Sequence, residues 1–516
     1  MGDAPLMIGV SGLRGIVGES LTPEVAVKFA GVFGAWLWDR YPGAQVVVGR
    51  DGRAGGEGIY NLVIGSLLST GCGVIPVDVA MTPSIGVAVD ELGASAGVVI
   101  TASHNPGEWN GIKLLLRAIE NEPDVEVGDA AWGLWHALSK ACAPSRAAAE
   151  DIIDHYNSYS VPWDRPYQSG ATGKYRSAHD VVGTHTYLVW GSVVICDHEN
   201  IGSHLDRPLD QISGGGKGSK KWRAVLDSVN SSGAAGAERL IGLFHAESVQ
   251  LYGDGSGIFP HTPEPTAENL SGEGGLCDAV PGLKADVGFA QDPDGDQLAI
   301  VDETGKYIGE EFTFVLCAVS ILEAMKEKDE LGADVVLCTN LSTSRMIDDV
   351  ADKYGARVVR TAVGEANVVE AMKRLKREGK EVVLGGEGNG GVIWPEVTYV
   401  RDSLGSMALV LSLMARTGKT VSELVADVPS YAIVKRKQPL AKKEDAQPTI
   451  QKVAEHYKGE RVDRQDGVRI DFDAAKAWVH VRASNTEPIL RLIGEAPTTE
   501  AAEALLDEVQ KLVDAG

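Results

Sequence analysis

A chain of 516 residues exceeds what one hydrophobic core organises, so three or four compact domains are expected. Hydrophobic residues make up 44% and charged residues 23%, near globular averages, and no apolar run reaches the ~18 residues that a membrane-spanning helix needs. With 48 basic against 72 acidic side chains the net charge is −24, which opposes non-specific binding to nucleic acid or anionic membrane and obliges an anionic ligand to find a local cationic pocket.

The start, MGDAPLMIGV, has neither a basic stretch nor a long apolar one, so a cytoplasmic location is expected. Six cysteines (Cys72, Cys142, Cys196, Cys277, Cys317, Cys338) lack CxxC spacing and read as buried free thiols.

From Thr22 the order Thr-Pro-Glu, then Val25, Phe29, Phe33 and Leu37, supplies an N-cap, a proline in the first turn and apolar residues four apart, which predicts an amphipathic helix. Residues 45–49 predict a buried strand, 57–70 a helix, 73–77 a strand, 83–92 a helix capped by Thr82-Pro83, and 96–101 another strand. Such alternation implies a sheet with helical crossovers, and it returns at 222–302 and 333–385. Beyond about residue 430 the pattern becomes a smaller α+β one, with strands 477–481 and 489–493, a polar loop 482–488 between them and a closing helix from Thr498. The expected division is an α/β domain 1–150, an anomalous segment 151–220, α/β domains 221–305 and 306–430, and an α+β domain 431–516. Over 115–219 helix and strand periodicity both fade, so this stretch is expected to be the least regular and least well packed. It holds six of the 11 histidines (His136, His155, His179, His185, His198, His204) and four of the 10 tryptophans, without metal-ligand spacing.

Four loops carry chemistry. Strand 96–101 runs into Thr101-Ala102-Ser103-His104-Asn105-Pro106, so Ser103 stands at a carboxyl strand end, where α/β sheets form ligand crevices. Pro106 and Gly107 are expected to delay a following helix, leaving a hydroxyl and backbone donors in an irregular loop. A lone serine there would be a capping residue, but this one has company. Asp292-Pro293-Asp294-Gly295-Asp296 sets three carboxylates within five residues at another strand end, which suits a hard cation such as Mg2+. A calcium loop is rejected, since Gln297 stands where that loop needs glycine and the flanks read as strands. In Gly385–Gly391 a carboxylate, Glu387, and an amide, Asn389, are displayed on a tight turn where they can bond vicinal sugar hydroxyls. Arg482, Ser484, Asn485 and Thr486, with Arg491, gather the cations, hydroxyls and backbone donors that hold a phosphate.

Together TASHNP around Ser103, DPDGD at 292–296, GEGNGG at 386–391 and RASNTEP at 482–488 resemble the phosphoserine, metal, sugar and phosphate loops of the α-D-phosphohexomutase family, in the family's order. Gly12–Gly15, Gly49–Asp51, Asn110–Lys113 and Thr361–Gly364 add to the resemblance, which covers 7–114 and 220–516. It implies four domains around a central cleft, three α/β with mixed sheets and a C-terminal α+β one, each giving one loop. It also implies a phosphorylated Ser103 that donates its phosphoryl group to a hexose phosphate and regains one from the bisphosphate, which also serves as activator. Mg2+ would lie on Asp292, Asp294, Asp296 and the Ser103 phosphate, with Arg14 and Lys113 adding positive charge, and Lys113 or His104 handling the hydroxyl proton.

Two departures stand out. Members commonly carry arginine after the last metal aspartate, where this chain has Gln297, and the family pattern is lost over 115–219. Glu365 in the stretch 363–372 resembles the phosphoglucosamine branch, so glucosamine phosphate is the expected substrate, with glucose or mannose phosphate as the alternative. A sugar-phosphate-binding homologue with impaired catalysis is the reading from another class. It is disfavoured because a binder needs neither a nucleophile nor three metal ligands. Neither nucleic acid nor membrane is expected as a partner.

Overall fold

In the computed structural model the described residues are 5–117, 137–158, 161, 163, 173–177, 180–197, 222–484 and 488–514. They form four sheets. The first has the strands β1 (Met7–Gly9), β2 (Gly12–Ile16), β3 (Gln45–Arg50), β4 (Gly73–Val79), β5 (Ala96–Ile100) and β6 (Trp109–Leu116), in the order β1-β2-β6-β5-β3-β4. The Val46-Val47-Val48 run of β3 is wholly buried because helices cover both faces. Val46 and Val48 pack with Phe29, Phe33 and Val63 on one side, and Val47 packs with Ile75 and Ile85 on the other. Helix Pro23–Arg40 starts as predicted, with Thr22 accepting from the Val25 N–H and proline in the first turn.

The second sheet is β7 (Arg223–Asp227), β8 (Glu247–Tyr252), β9 (Val287–Gln291) and β10 (Leu298–Asp302), ordered β10-β9-β7-β8. The third is β11 (Val335–Asn340), β12 (Arg357–Thr361), β13 (Glu381–Glu387) and β14 (Gly391–Ile393), ordered β12-β11-β13-β14. One device recurs in all three sheets. A strand from the parallel core, β5, β9 or β13, passes through a short loop and returns as an antiparallel neighbour, β6, β10 or β14. Three of the four loops singled out in the sequence are these three returns. No helix therefore follows Pro106 and Gly107, contrary to expectation: the chain goes directly back along the sheet as β6.

The fourth sheet is antiparallel throughout, ordered β15-β19-β18-β17-β16, from β15 (Ala432–Pro439), β16 (Arg461–Asp463), β17 (Val468–Phe472), β18 (Ala477–Ala483) and β19 (Ile489–Ala496). Helices Ala446–His456 and Thr499–Asp514 cover it, Val453 and Leu506 meeting Val479 and Leu492 in its core.

Within 115–219 the described residues are more regular than their composition predicts. Helix Arg146–Ser158 lies along Pro23–Arg40, with the Trp36 indole donating to Asp151 at 2.8 Å. Helix Val181–Asp197 enters the central core, where Val189 and Val193 pack with Met81, Leu240 and Leu404. Its mean composition is apolar almost all round, so periodicity has nothing to reveal. His185 is completely buried, between Ser84 Oγ and Asp402 Oδ2, each 2.9 Å away. His136, His179, His198 and His204 lie outside the described residues. Cys72, Cys317 and Cys338 are buried cysteines that form no disulfide, whereas Cys142 and Cys277 are half-buried. Among the described residues no helix is long and apolar enough to cross a membrane.

Candidate active site

Ser103 is 1% exposed and holds a left-handed φ of 52°, which costs a residue with a side chain about 1–2 kcal/mol. Its N–H donates to Thr101 Oγ1 at 2.8 Å, and Arg53 Nη2 donates to its carbonyl at 2.6 Å. Arg53 also bonds the Trp109 carbonyl at 2.5 Å and Asp51 Oδ2 at 2.8 Å, while the Thr101 hydroxyl donates to Asp51 at 2.6 Å. A buried ion pair thus sets the serine loop from beneath. Asp51 belongs to a stretch the sequence singles out; Arg53 does not, and the repeated arginine of Arg50-Asp51-Gly52-Arg53 was its only signal.

The Ser103 hydroxyl donates to Asp292 Oδ2 at 2.9 Å and lies 3.3 Å from His104 Nδ1. Asp292, Asp294 and Asp296 are wholly buried and offer oxygens within 4.8 Å of one another. Asp292 Oδ1 accepts from the Asp296 and Gln297 N–H groups, each at 3.0 Å, which turns its other oxygen to the serine. Lys113 Nζ reaches Asp296 at 2.6 Å and Asp294 at 3.3 Å. Thr82 does not cap its helix as expected. The helix begins at Thr82 itself, whose hydroxyl donates to Asp294 Oδ2 at 2.6 Å, so the helix N-terminus faces the carboxylates.

Burial, reinforced by Asp294 and Asp296, raises the Asp292 carboxyl well above its usual range. For Asp294 burial works upward, but Lys113 and the hydrogen bonds from Asp292 and Thr82 outweigh it and hold the acid low. For Lys113 burial is overcome by Asp294 and Asp296, so its ammonium is held charged. Burial lowers His104. Asp294 Oδ1 and Asp296 Oδ1 are buried without any hydrogen-bond partner. Two orphaned anionic oxygens beside a third carboxylate and a serine hydroxyl form an all-oxygen donor set that fits a hard divalent cation. Arg14 stands at the rim, Nη1 donating to Asn105 at 3.3 Å, its charge facing Asp294 and Asp296.

The cation missing at Gln297 has a counterpart that the sequence did not reveal. Arg401 Nη2 lies 2.7 Å from Asp296 Oδ2, Nε 3.1 Å from Glu365 Oε2 and Nη1 3.8 Å from Glu387 Oε2. It passes so close to the β13–β14 loop that a Cβ on Gly391 would come within 2.3 Å of its Cδ. Glu387 Oε1 accepts from Asn340 Nδ2 at 2.8 Å and from the Gly364 N–H at 3.0 Å. Asn389 Oδ1 accepts from the Gly391 N–H at 3.2 Å, closing the turn.

In the fourth domain Ser484 is buried and Arg482 Nε lies 3.0 Å from Asp466 Oδ2; Asn485 and Thr486 lie outside the described residues. Arg482 faces Arg491 across β18–β19, and Arg491 faces Lys437 across β15–β19. Three cations therefore share one row across three strands. Lys437, some forty-five residues before the loop, joins it only through sheet register.

The phosphoglucomutase/phosphomannomutase alpha/beta/alpha domains I, II and III match residues 5–127, 209–305 and 313–431, and the C-terminal domain of that family matches 432–512. A phosphoglucomutase/phosphomannomutase of Thermococcus kodakarensis is 35% identical, covering 98% of each chain. A probable phosphoglucosamine mutase of Methanopyrus kandleri is 34% identical over 98% of this chain and 97% of its own. The crystal structure of a phosphoglucomutase/phosphomannomutase family protein from Burkholderia thailandensis superposes with a TM-score of 0.72 at 24% identity, covering 99% of this chain and 98% of that one. With four domains matched in order and full-length relatives above 30% identity, the chain belongs to the phosphoglucomutase/phosphomannomutase family of phosphohexose mutases, isomerase-class phosphotransferases.

Proposed function

We propose that this mutase interconverts the 6-phosphate and 1-phosphate of a hexose, preferably glucosamine, through a phosphoserine at Ser103 and a hexose bisphosphate. The observation that carries the reading is the meeting at 2.9 Å of the Ser103 hydroxyl, which follows β5 of the first sheet, with Asp292, one of three buried aspartates on the β9–β10 loop of the second. Asp292, Asp294, Asp296 and the Ser103 phosphate would hold Mg2+, which when bound neutralises charge on the phosphoryl group. The protein's own contribution is position. Arg53 fixes the serine backbone, Lys113 and Arg14 bring positive charge, and the Lys437–Arg491–Arg482 row grips the phosphate that does not react. Ser484, with Asn485 and Thr486, would complete that grip, and Glu387 and Asn389 would bond the sugar hydroxyls.

The P–O bond to Ser103 breaks as one to the sugar hydroxyl forms, the hydroxyl proton passes to a base, and the departing Ser103 oxygen takes up a proton so that serine is restored. His104, 3.3 Å from Ser103 Oγ, stands beside the serine oxygen that departs and can supply its proton, while Lys113 is engaged with two carboxylates. Glucosamine is favoured by the acid at Glu365 and by the names of relatives such as the Methanopyrus protein. Glucose or mannose phosphate is the second reading, favoured by the Thermococcus relative. The test is transfer of radiolabel from a labelled hexose bisphosphate to Ser103 and back to hexose phosphate. Label released only as inorganic phosphate would make the enzyme a phosphatase and overturn the proposal.

A further inference from the structure

Glu365 sits at the first turn of helix Glu365–Arg377, directly after Gly364, whose N–H binds the sugar-loop carboxylate Glu387. Its side chain is only 10% exposed. One oxygen, Oε2, accepts from Arg401 Nε at 3.1 Å, and the other, Oε1, is buried with no hydrogen-bond partner. An orphaned carboxylate oxygen carries the full desolvation penalty of its group until a donor arrives. Nothing in the phosphoryl-transfer chemistry at Ser103 uses it.

The charge around it says which donor. Asp292, Asp294, Asp296, Glu365 and Glu387 face Arg14, Lys113 and Arg401, so carboxylates remain in excess among the described residues. A cationic donor meets Oε1 with a charge-assisted bond, roughly twice as strong as the neutral one a hydroxyl makes. We infer that Glu365, held in place by Arg401, is the specificity-determining residue that reads the substituent at C2 of the hexose, accepting a hydrogen bond from a 2-ammonium group. This rests on the mutase reading of the site and deepens its choice of substrate. Arg401 is the positioning residue: its guanidinium spans Glu365, Glu387 and Asp296, tying the reader of the sugar to both the sugar loop and the metal loop.

The test compares kcat/KM for glucosamine 6-phosphate and glucose 6-phosphate in the Mg2+-loaded wild type, Glu365→Gln and Glu365→Asp. Glutamine keeps the shape and removes the charge, so the glucosamine-to-glucose ratio of kcat/KM should fall about tenfold or more. Aspartate should recover part of the ratio. An unchanged ratio in Glu365→Gln overturns the inference even where the wild type prefers glucosamine. A wild type that prefers glucose refutes the choice of substrate alone, since the drop in ratio can still be read. Should Glu365→Gln fail to accumulate folded, inhibition of the wild type by glucosamine 6-phosphate and by 2-deoxyglucose 6-phosphate reads the same contact. Tighter binding of the amino sugar by about tenfold supports the assignment, and equal binding overturns it.

Discussion

Replacing Arg53 by methionine keeps much of the volume and removes a guanidinium that is 1% exposed. Asp51, wholly buried, then loses the partner that opposes the upward pull of burial on its carboxyl, and of its side-chain partners only the Thr101 hydroxyl remains. Breaking a buried pair from one side costs about 3–5 kcal/mol, a large part of the roughly 5–15 kcal/mol that holds a domain together. The carbonyls of Ser103 and Trp109 lose their donor as well, so the serine loop is freed from the left-handed geometry at Ser103. Urea unfolding followed by the fluorescence of Trp36, Trp38 and Trp109 should show about 3 kcal/mol or more lost in Arg53→Met. Asp51→Asn combined with Arg53→Met should regain part of it, because no buried charge is left alone. Phosphoenzyme formation should fall about tenfold or more in the single variant through misplacement of the nucleophile. A loss under about 1 kcal/mol, or a double variant as unstable as the single, would refute the view that a buried ion pair shapes this loop.

Three further outcomes are expected. Mg2+ at about a hundredfold its dissociation constant should stabilise the wild type by about 2.7 kcal/mol in thermal melts, and Asp294→Ala or a chelator should remove that gain. Arg482→Ala and Lys437→Ala should each raise KM for every phosphosugar, with the larger effect from Arg482, which is half-buried where Lys437 is exposed; unchanged KM values for both would break the phosphate-row assignment. Burial pushes the Glu311 carboxyl, which accepts from the Ser344 N–H at 3.0 Å, from 4.5 up to about 8. The folded state then keeps a proton that the unfolded chain has released, so stability falls as pH rises from about 4.5 to about 8, by a few kcal/mol in all. Melting temperatures measured across that range should decline more steeply in the wild type than in Glu311→Gln, and parallel slopes would sink the assignment.

The loops of the candidate site were legible because their spacing is local: TASHNP, DPDGD, GEGNGG and RASNTEP are each recognisable within a few residues. The alternation behind them was legible for the same reason, since Thr22-Pro23 starts a helix and Val46–Val48 forms a buried strand through near-neighbour rules. Helix Val181–Asp197 was missed because its residues are apolar almost all round and leave no amphipathic period, and β15 because its strand partner lies fifty or more residues away. Lys437 joins Arg491 and Arg482 only once register is set. Arg53, Thr82 and Arg401 also depend on assembly: a buried arginine under a loop, a helix terminus facing an aspartate, and a guanidinium joining three carboxylates are contacts across long stretches of chain. Local order along the chain settles which residue types stand ready at each strand end. The tertiary structure alone decided which of them meet, because attraction between charges that must lose their water is settled by distances of a few ångströms, and those distances exist only after the sheets have packed.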